Sequence, residues 1–407
     1  MNKFKKSELS EKNYFEDDNG IKINKLLTLI ESSEYYQNII DYFKLDVNDE
    51  TLIEIPGSMT MFAVLNSISK KYKKVDLLSN LNDIYFNYDD DEFKIEFLNT
   101  MTNTYFNNIE INELAALPIH SGERDFFTNL FDMDKYARQL INRGHRDILN
   151  QNLELLKSKE DYVKRYRLLH SVEDNKFFLR AIISEDRYFN YDNNLTFVIA
   201  LLKLHYEKQA SGVEYYLSFS EYNESYLRLY FRTSEMKELK GVGHLQNMLL
   251  VSNDEIKREA LRFSTICSIN FKTANDKTER LFIKPKDIKN KVLSISHGTG
   301  PDLAFESLEK FVKSKDIFES LCEEIKSVAS IKEHNQIIHL VRSKIENSNT
   351  ESIKKSKEDL KKVLLKDIKN TTQLLESFNK LMLLDGLEID AKEYLRYVIY
   401  DALVNRK

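Results

Sequence analysis

The sequence predicts an α+β protein, in which a central, largely antiparallel sheet with packed helices is flanked by helical N- and C-terminal regions. Three observations carry that expectation. Only 4 prolines and 10 glycines punctuate 407 residues, which leaves the long uninterrupted segments that helices need. Across residues 166–283, short runs of bulky apolar residues are separated by polar turns, the pattern of strands and hairpins. Beyond residue 300, apolar residues recur at helical spacing. The chain therefore divides into an acidic, mainly helical region at 1–110, a central α+β domain at 111–300 and a helical region at 301–407.

Composition narrows the class. Hydrophobic residues at 42% and charged residues at 31% place the chain among globular proteins rather than disordered ones. Cys267 and Cys322 lie far apart with no partner motif, so neither a disulfide framework nor a zinc site is suggested, and a reducing cytoplasm is the expected location. The first residues lack the apolar core of a signal peptide. No stretch approaches the ~18 uncharged apolar residues of a membrane span, so no membrane partner is expected. The net charge of −5 hides an asymmetry, since residues 1–110 carry 12 Lys+Arg against 20 Asp+Glu whereas residues 251–300 carry 10 against 6. A polyanion should prefer the later segment.

In chain order, residues 23–43 place Leu26, Leu27, Ile30, Ile39, Ile40 and Phe43 at mainly helical spacing. A second helix is expected over 59–72, with Lys70, Lys71, Lys73 and Lys74 as a solvated basic end favoured by the helix dipole. Asp89, Asp90, Asp91 and Glu92 lack the alternating ligands and glycine of a calcium loop and read as a solvated turn. Residues 111–117 suggest a short helix broken at Pro118, and helix resumes near Ser121 and continues over 133–156.

The character changes at 166–184, where two apolar runs flank the turn-like Val172, Glu173, Asp174 and Asn175 as a β-hairpin. Asp192, Asn193 or Asn194 can cap a helix at 195–206. Strands follow at 213–220 and 225–233. The second alternates Tyr226, Arg228, Tyr230 and Arg232 with Leu227, Leu229 and Phe231, giving one face of aromatics and arginines and one apolar face. Strand-like runs at 248–251, 261–271 and 281–283 lead to the basic stretch Lys284, Lys286, Lys289 and Lys291. In the last region, one stripe runs through Leu308, Phe311, Phe318, Leu321, Cys322 and Ile325, and another through Leu360, Leu374, Phe378 and Met382. Such stripes bury into a bundle or form an interface between copies. Asp390 and Glu393 have the spacing of a capping box for the final helix.

Several blocks occur in a telling order: Tyr166-Arg167-Leu168-Leu169, then Leu179-Arg180-Ala181-Ile182-Ile183-Ser184, Arg187-Tyr188 and Asp192-Asn193, and later Ser252-Asn253-Asp254-Glu255, Ala260-Leu261 and Cys267. On these blocks, residues 114–306 resemble the phage/plasmid-like protein family known as domain of unknown function 932. Two departures stand out. Lys257 and Arg258 follow Glu255 where the family commonly has glycine, and Cys267-Ser268-Ile269-Asn270 replaces a cysteine-threonine-asparagine-glycine turn. The resemblance implies a protein of phages, plasmids and integrated elements, with Ser184, Asp192, Asn193, Asn253 and Glu255 as its structural signature. It implies no catalytic residues.

The functional candidates are cationic and aromatic. Arg180, Arg187 and Tyr188, the Arg228/Arg232 and Tyr226/Tyr230 face, and Lys284, Lys286, Lys289 and Lys291 suit a non-catalytic single-stranded DNA binding or annealing factor. Guanidinium groups fork onto phosphates and tyrosine rings accept unstacked bases. Arg180 and Arg187 have another use, as internal partners of Asp192, Glu185 or Glu255 that fix the turn. A competing expectation is a module that binds a host or phage protein to modulate defence or regulation, with the C-terminal stripes as its interface or as a homo-oligomer contact. Glu255-x-Lys257 is similar to half of a metal-dependent nuclease core, with Glu221, Glu224 or Glu235 as the second acid, but so short a match is common by chance. His297-Gly298-Thr299-Gly300 lacks the ending of a phosphate loop, and His334 and His339 are spaced i,i+5 rather than i,i+4. No cofactor or metal is expected.

Overall fold

In the computed structural model, the structure describes residues 2–89, 92–98, 114–184, 189–256, 259–285, 292–310, 314–364 and 367–406. Strand β1 (Ser7–Ser10) and the short β2 (Ile21–Lys22) precede α1 (Ile23–Leu27) and α2 (Tyr36–Phe43), and β3 (Leu52–Ile53) precedes α3 (Ser58–Lys71). The expected helix over 23–43 is two helices. Between them the Ser33 hydroxyl accepts the Tyr35 N–H at 3.2 Å, a local bond that competes with helix continuation. Leu26, Leu27, Ile30, Ile39 and Phe43 are buried as their spacing predicts.

The first region is not mainly helical. After α3 come β4 (Tyr72–Asn80), β5 (Ile84–Asp89) and β6 (Glu92–Phe97), and β7 (Leu114–Pro118) stands where a short helix was expected. Val75 and Leu77 are buried and alternate with Lys74 and Asp76, a period of two that the lysine run obscures. In β7, Leu114 and Ala116 are buried around an exposed Ala115, so sheet pairing overrides the helical propensity of alanine. The aspartate run meets the β5–β6 connection, of which residues 90 and 91 lie outside the described residues.

Helices α4 (Gly122–Phe131), α5 (Asp134–Asn142) and α6 (Arg146–Lys157) lead into the expected hairpin, β8 (Val163–Ser171) and β9 (Lys176–Ser184). These strands belong to a six-stranded sheet of order β4-β8-β9-β7-β6-β5, in which β7 and β9 run parallel. Phe126, Phe127, Leu149 and Leu153 from the helices pack on Val75, Leu77, Tyr166, Leu168 and Leu179. Gly122 starts α4 so near β9 that an added Cβ would lie 2.4 Å from the Leu179 carbonyl oxygen.

Helix α7 (Asn193–Ser211) starts at the polar break, where Asp192 caps it by accepting the Leu195 N–H at 2.8 Å. It is followed by β10 (Tyr215–Tyr222), β11 (Tyr226–Leu239), β12 (Gly243–Asp254), β13 (Glu259–Lys272), β14 (Thr278–Ile283) and β15 (Val292–Ser296). With β1 they form an antiparallel seven-stranded sheet of order β1-β10-β11-β12-β13-β14, with β15 also on β13. The sheet curls on itself. Phe219 of β10 and Phe282 of β14 bring their rings to 4.7 Å although three strands separate them in sheet order. Leu227, Leu229 and Phe231 point to the convex side, where they share a core with α7 and with α1, α2 and α3. Helix α7 is apolar nearly all round because it is enclosed by these layers. Among the described residues no helix is long and apolar enough to cross a membrane.

The rest of the chain is helical: α8 (Pro301–Lys310), α9 (Ser314–Lys326), α10 (His334–Glu346), α11 (Glu351–Val363), α12 (Thr371–Met382) and α13 (Ile389–Val404). The two sequence stripes do not face outward. Leu308 joins the core around α7, while Phe318, Leu321, Cys322, Ile325, Leu360, Leu374, Phe378 and Met382 share a second core with Cys267, Ile269 and Leu281 of the sheet. These side chains are occupied internally, which removes them as an interface between copies or with a partner; Phe311 lies outside the described residues. The capping-box reading of Asp390 and Glu393 is also corrected. Glu388 holds the N-cap position of α13 without a side-chain bond, and Glu393 is engaged elsewhere.

Candidate functional site

Most of the signature residues meet where the two sheets join. The tip of the β10–β11 hairpin, Asn223, Glu224 and Ser225, is buried against the six-stranded sheet together with the end of β12. Glu255 lies at the centre, with Oε2 2.8 Å from Arg180 Nη1 and Oε1 2.5 Å from Lys74 Nζ. Its Oε1 also accepts the Asn193 N–H at 2.9 Å, and Arg167 donates to its carbonyl oxygen. Arg167 reaches Asn190 at 2.6 Å and Asp76 at 3.3 Å. Asn253 Nδ2 donates to the Tyr191 carbonyl and to Asn193 Oδ1, each at 3.1 Å. Ser225 accepts from Arg180 at 3.1 Å and donates to Glu224 at 2.9 Å, and Glu224 lies 2.6 Å from His120 Nε2.

This geometry makes a joint. Burial acts to raise the Glu255 carboxyl, but Lys74, Arg180 and Arg167 outweigh it and hold the group at about 2. Burial raises Asp192 despite the nearby Lys74. Arg180 is fully buried and committed to Glu255, so it cannot serve a phosphate from this position. Lys74 turns inward and does not end a solvated helix. Both carboxylate oxygens of Glu255 already face cations, which leaves little to offer a metal, and Lys257 lies outside the described residues. Of the other acids, Glu221 faces Arg396 and Glu235 accepts from Asn247. Among the described residues, no group of three or more His, Cys, Asp or Glu side chains is placed to hold a metal ion. Ser184 stands apart from the joint, exposed at the end of β9.

The arginine and tyrosine face of β11 lines the concave side of the curled sheet. At one end α13 closes it. Glu393 lies 2.8 Å from Arg228 and 2.7 Å from Lys284, and Arg396 lies 2.8 Å from Glu221. Arg396 also donates to the Tyr230 hydroxyl at 2.5 Å, which in turn donates to Glu221 at 3.0 Å. Burial lowers Lys284 to about 8, while Arg228, Lys284 and Arg396 overcome burial to hold Glu393 far below the usual carboxylate range. Tyr226 is buried beneath Lys6, whose Nζ sits 3.6 Å from the ring centroid. Tyr226, Arg228, Tyr230 and Lys284 are therefore interior groups, contrary to the expectation of a solvent-facing patch.

At the other end the face opens. Arg232 is partly exposed, with its guanidinium 4.5 Å from the centroid of Tyr216, its register partner on β10. Its Nε lies 3.2 Å from Glu11 Oε1. Arg280 enters the same mouth from β14, donating to Ser218 Oγ and to Asn270 Oδ1, each at 3.0 Å. Ser218 in turn donates to Glu11 at 3.3 Å. Burial and the like charge of Arg232 lower the Arg280 guanidinium, with Glu11 opposing them. Sequence reasoning found Arg232 by alternation but missed Tyr216, Arg280 and Glu11. Their only signal is cross-strand register and curl, which one strand's pattern does not contain. Arg187, Tyr188, Lys286, Lys289 and Lys291 lie outside the described residues. No family model, curated protein or solved structure matches the chain.

Proposed function

We propose that this chain is a non-catalytic nucleic-acid-binding protein of a mobile element, and that it contacts single-stranded DNA at the open mouth of the curled sheet. The observation that carries this reading is the pair of arginines at that mouth, Arg232, which lies 3.2 Å from Glu11, and Arg280, which reaches the same carboxylate only through the Ser218 hydroxyl. Two neighbouring guanidinium groups suit an anion, and the Tyr216 ring beneath Arg232 adds an aromatic surface beside them. The ordered blocks that resemble the phage/plasmid-like family support the mobile-element part of the reading. In this account the other arginines and tyrosines of the face hold the platform rigid and do not touch the ligand.

Fluorescence anisotropy with a labelled oligo-dT over a salt series tests the proposal. Wild-type protein should bind with a salt-dependent affinity, and Arg232→Ala with Arg280→Ala should weaken binding and reduce the log–log salt slope by about 1.4, at ~0.7 per phosphate contact on a single strand. A folded double variant with unchanged affinity and slope, or a wild-type protein that binds no single strand, overturns it.

A further inference from the structure

We infer that the segment spanning residues 3–13 competes with nucleic acid for this mouth, with Glu11 standing where a phosphate would bind. The inference rests on the single-strand reading and adds its regulation. The segment runs along β10, pairing Ser7 with Tyr222 and Ser10 with Phe219, and then turns to aim Glu11 at Arg232 and Ser218. A carboxylate and a phosphate present the same acceptor oxygens to a guanidinium. Displacing Glu11 frees the Arg232 guanidinium and releases the Ser218 hydroxyl, which Arg280 also contacts.

The segment is built to release. Strand β1 has four residues, and Leu9 is its one buried side chain. Beyond Phe4, whose ring packs on Phe178 and Tyr72, the segment's other ties include ion pairs with partly exposed groups: Lys6 lies 2.7 Å from Asp390, Lys392 lies 2.7 Å from Glu8, and Lys3 pairs with Asp174. Salt screens such pairs, and each is individually weak. An edge strand held this way opens locally far more readily than the sheet behind it.

Three variants of the full chain test the inference by oligo-dT anisotropy. Glu11→Gln should tighten binding several-fold, whereas Glu16→Gln, which removes an equal charge from an exposed site on the same arm, should leave affinity unchanged. Ser7→Cys with Tyr222→Cys places a disulfide across register partners; oxidation should weaken binding and reduction should restore it. If wild-type protein binds but Glu11→Gln and the oxidised pair bind equally well, or if Glu16→Gln matches Glu11→Gln, the competition is overturned and the binding reading stands. If wild-type protein binds no single strand, both are overturned.

Discussion

Glu255 shows how one residue can be decisive without being chemically active. It faces Lys74 and Arg180 inside the joint, so replacing it leaves a buried arginine and a partly buried lysine without their shared partner. Glu255→Gln should cost about 3–5 kcal/mol, the range for breaking a buried ion pair from one side. The pH dependence has a definite sign. The folded carboxyl is depressed from 4.5 to about 2, so its stabilisation is fully present above about pH 4.5 and is lost as pH falls through 2. Thermal melts between pH 6 and pH 3 should show wild-type Tm falling more steeply than that of Glu255→Gln; parallel curves contradict the assignment. The sequence had already paired Arg180 with Glu255 as one of two uses. It could not choose between them, because the choice depends on a contact across 75 positions.

Elements with a local signature were legible. The β8–β9 hairpin follows from its turn residues, and α7 from its apolar run and the Asp192 cap. The alternation of β11 correctly separated its two faces, but alternation does not say what covers each one. The arginine and tyrosine side is closed by curling and by Glu393 and Arg396, which in sequence look like an ordinary helix start. Strands β4 and β7 were missed because lysines and alanines gave a helical impression that pairing overrides. Adjacent arginines of one strand therefore have opposite roles. Arg228→Ala should destabilise the fold by about 3 kcal/mol while leaving the salt slope of oligo-dT binding unchanged. A stable Arg228→Ala protein with a reduced slope would instead make Arg228 a phosphate contact.

At the scale of the molecule, two sheets are locked by the buried joint, and a helical lobe closes one end of the curled sheet. The first residues tie these parts together, since Lys3 reaches the β8–β9 turn, β1 joins β10, and Lys6 and Glu8 reach the α13 helix. The rigid parts set the geometry of the mouth, and the weakly held segment sets access to it. The net charge of −5 makes broad electrostatic attraction to a polyanion weak, so a nucleic acid must be captured by a local feature.

Hydrogen–deuterium exchange with and without single-stranded oligonucleotide tests that account most directly. Protection is expected at the mouth, around Arg232 in β11 and Arg280 in β14, together with faster exchange in residues 7–13 as the segment is displaced. Protection confined to the helices α9 to α13, or no change at the mouth at saturating oligonucleotide, contradicts it.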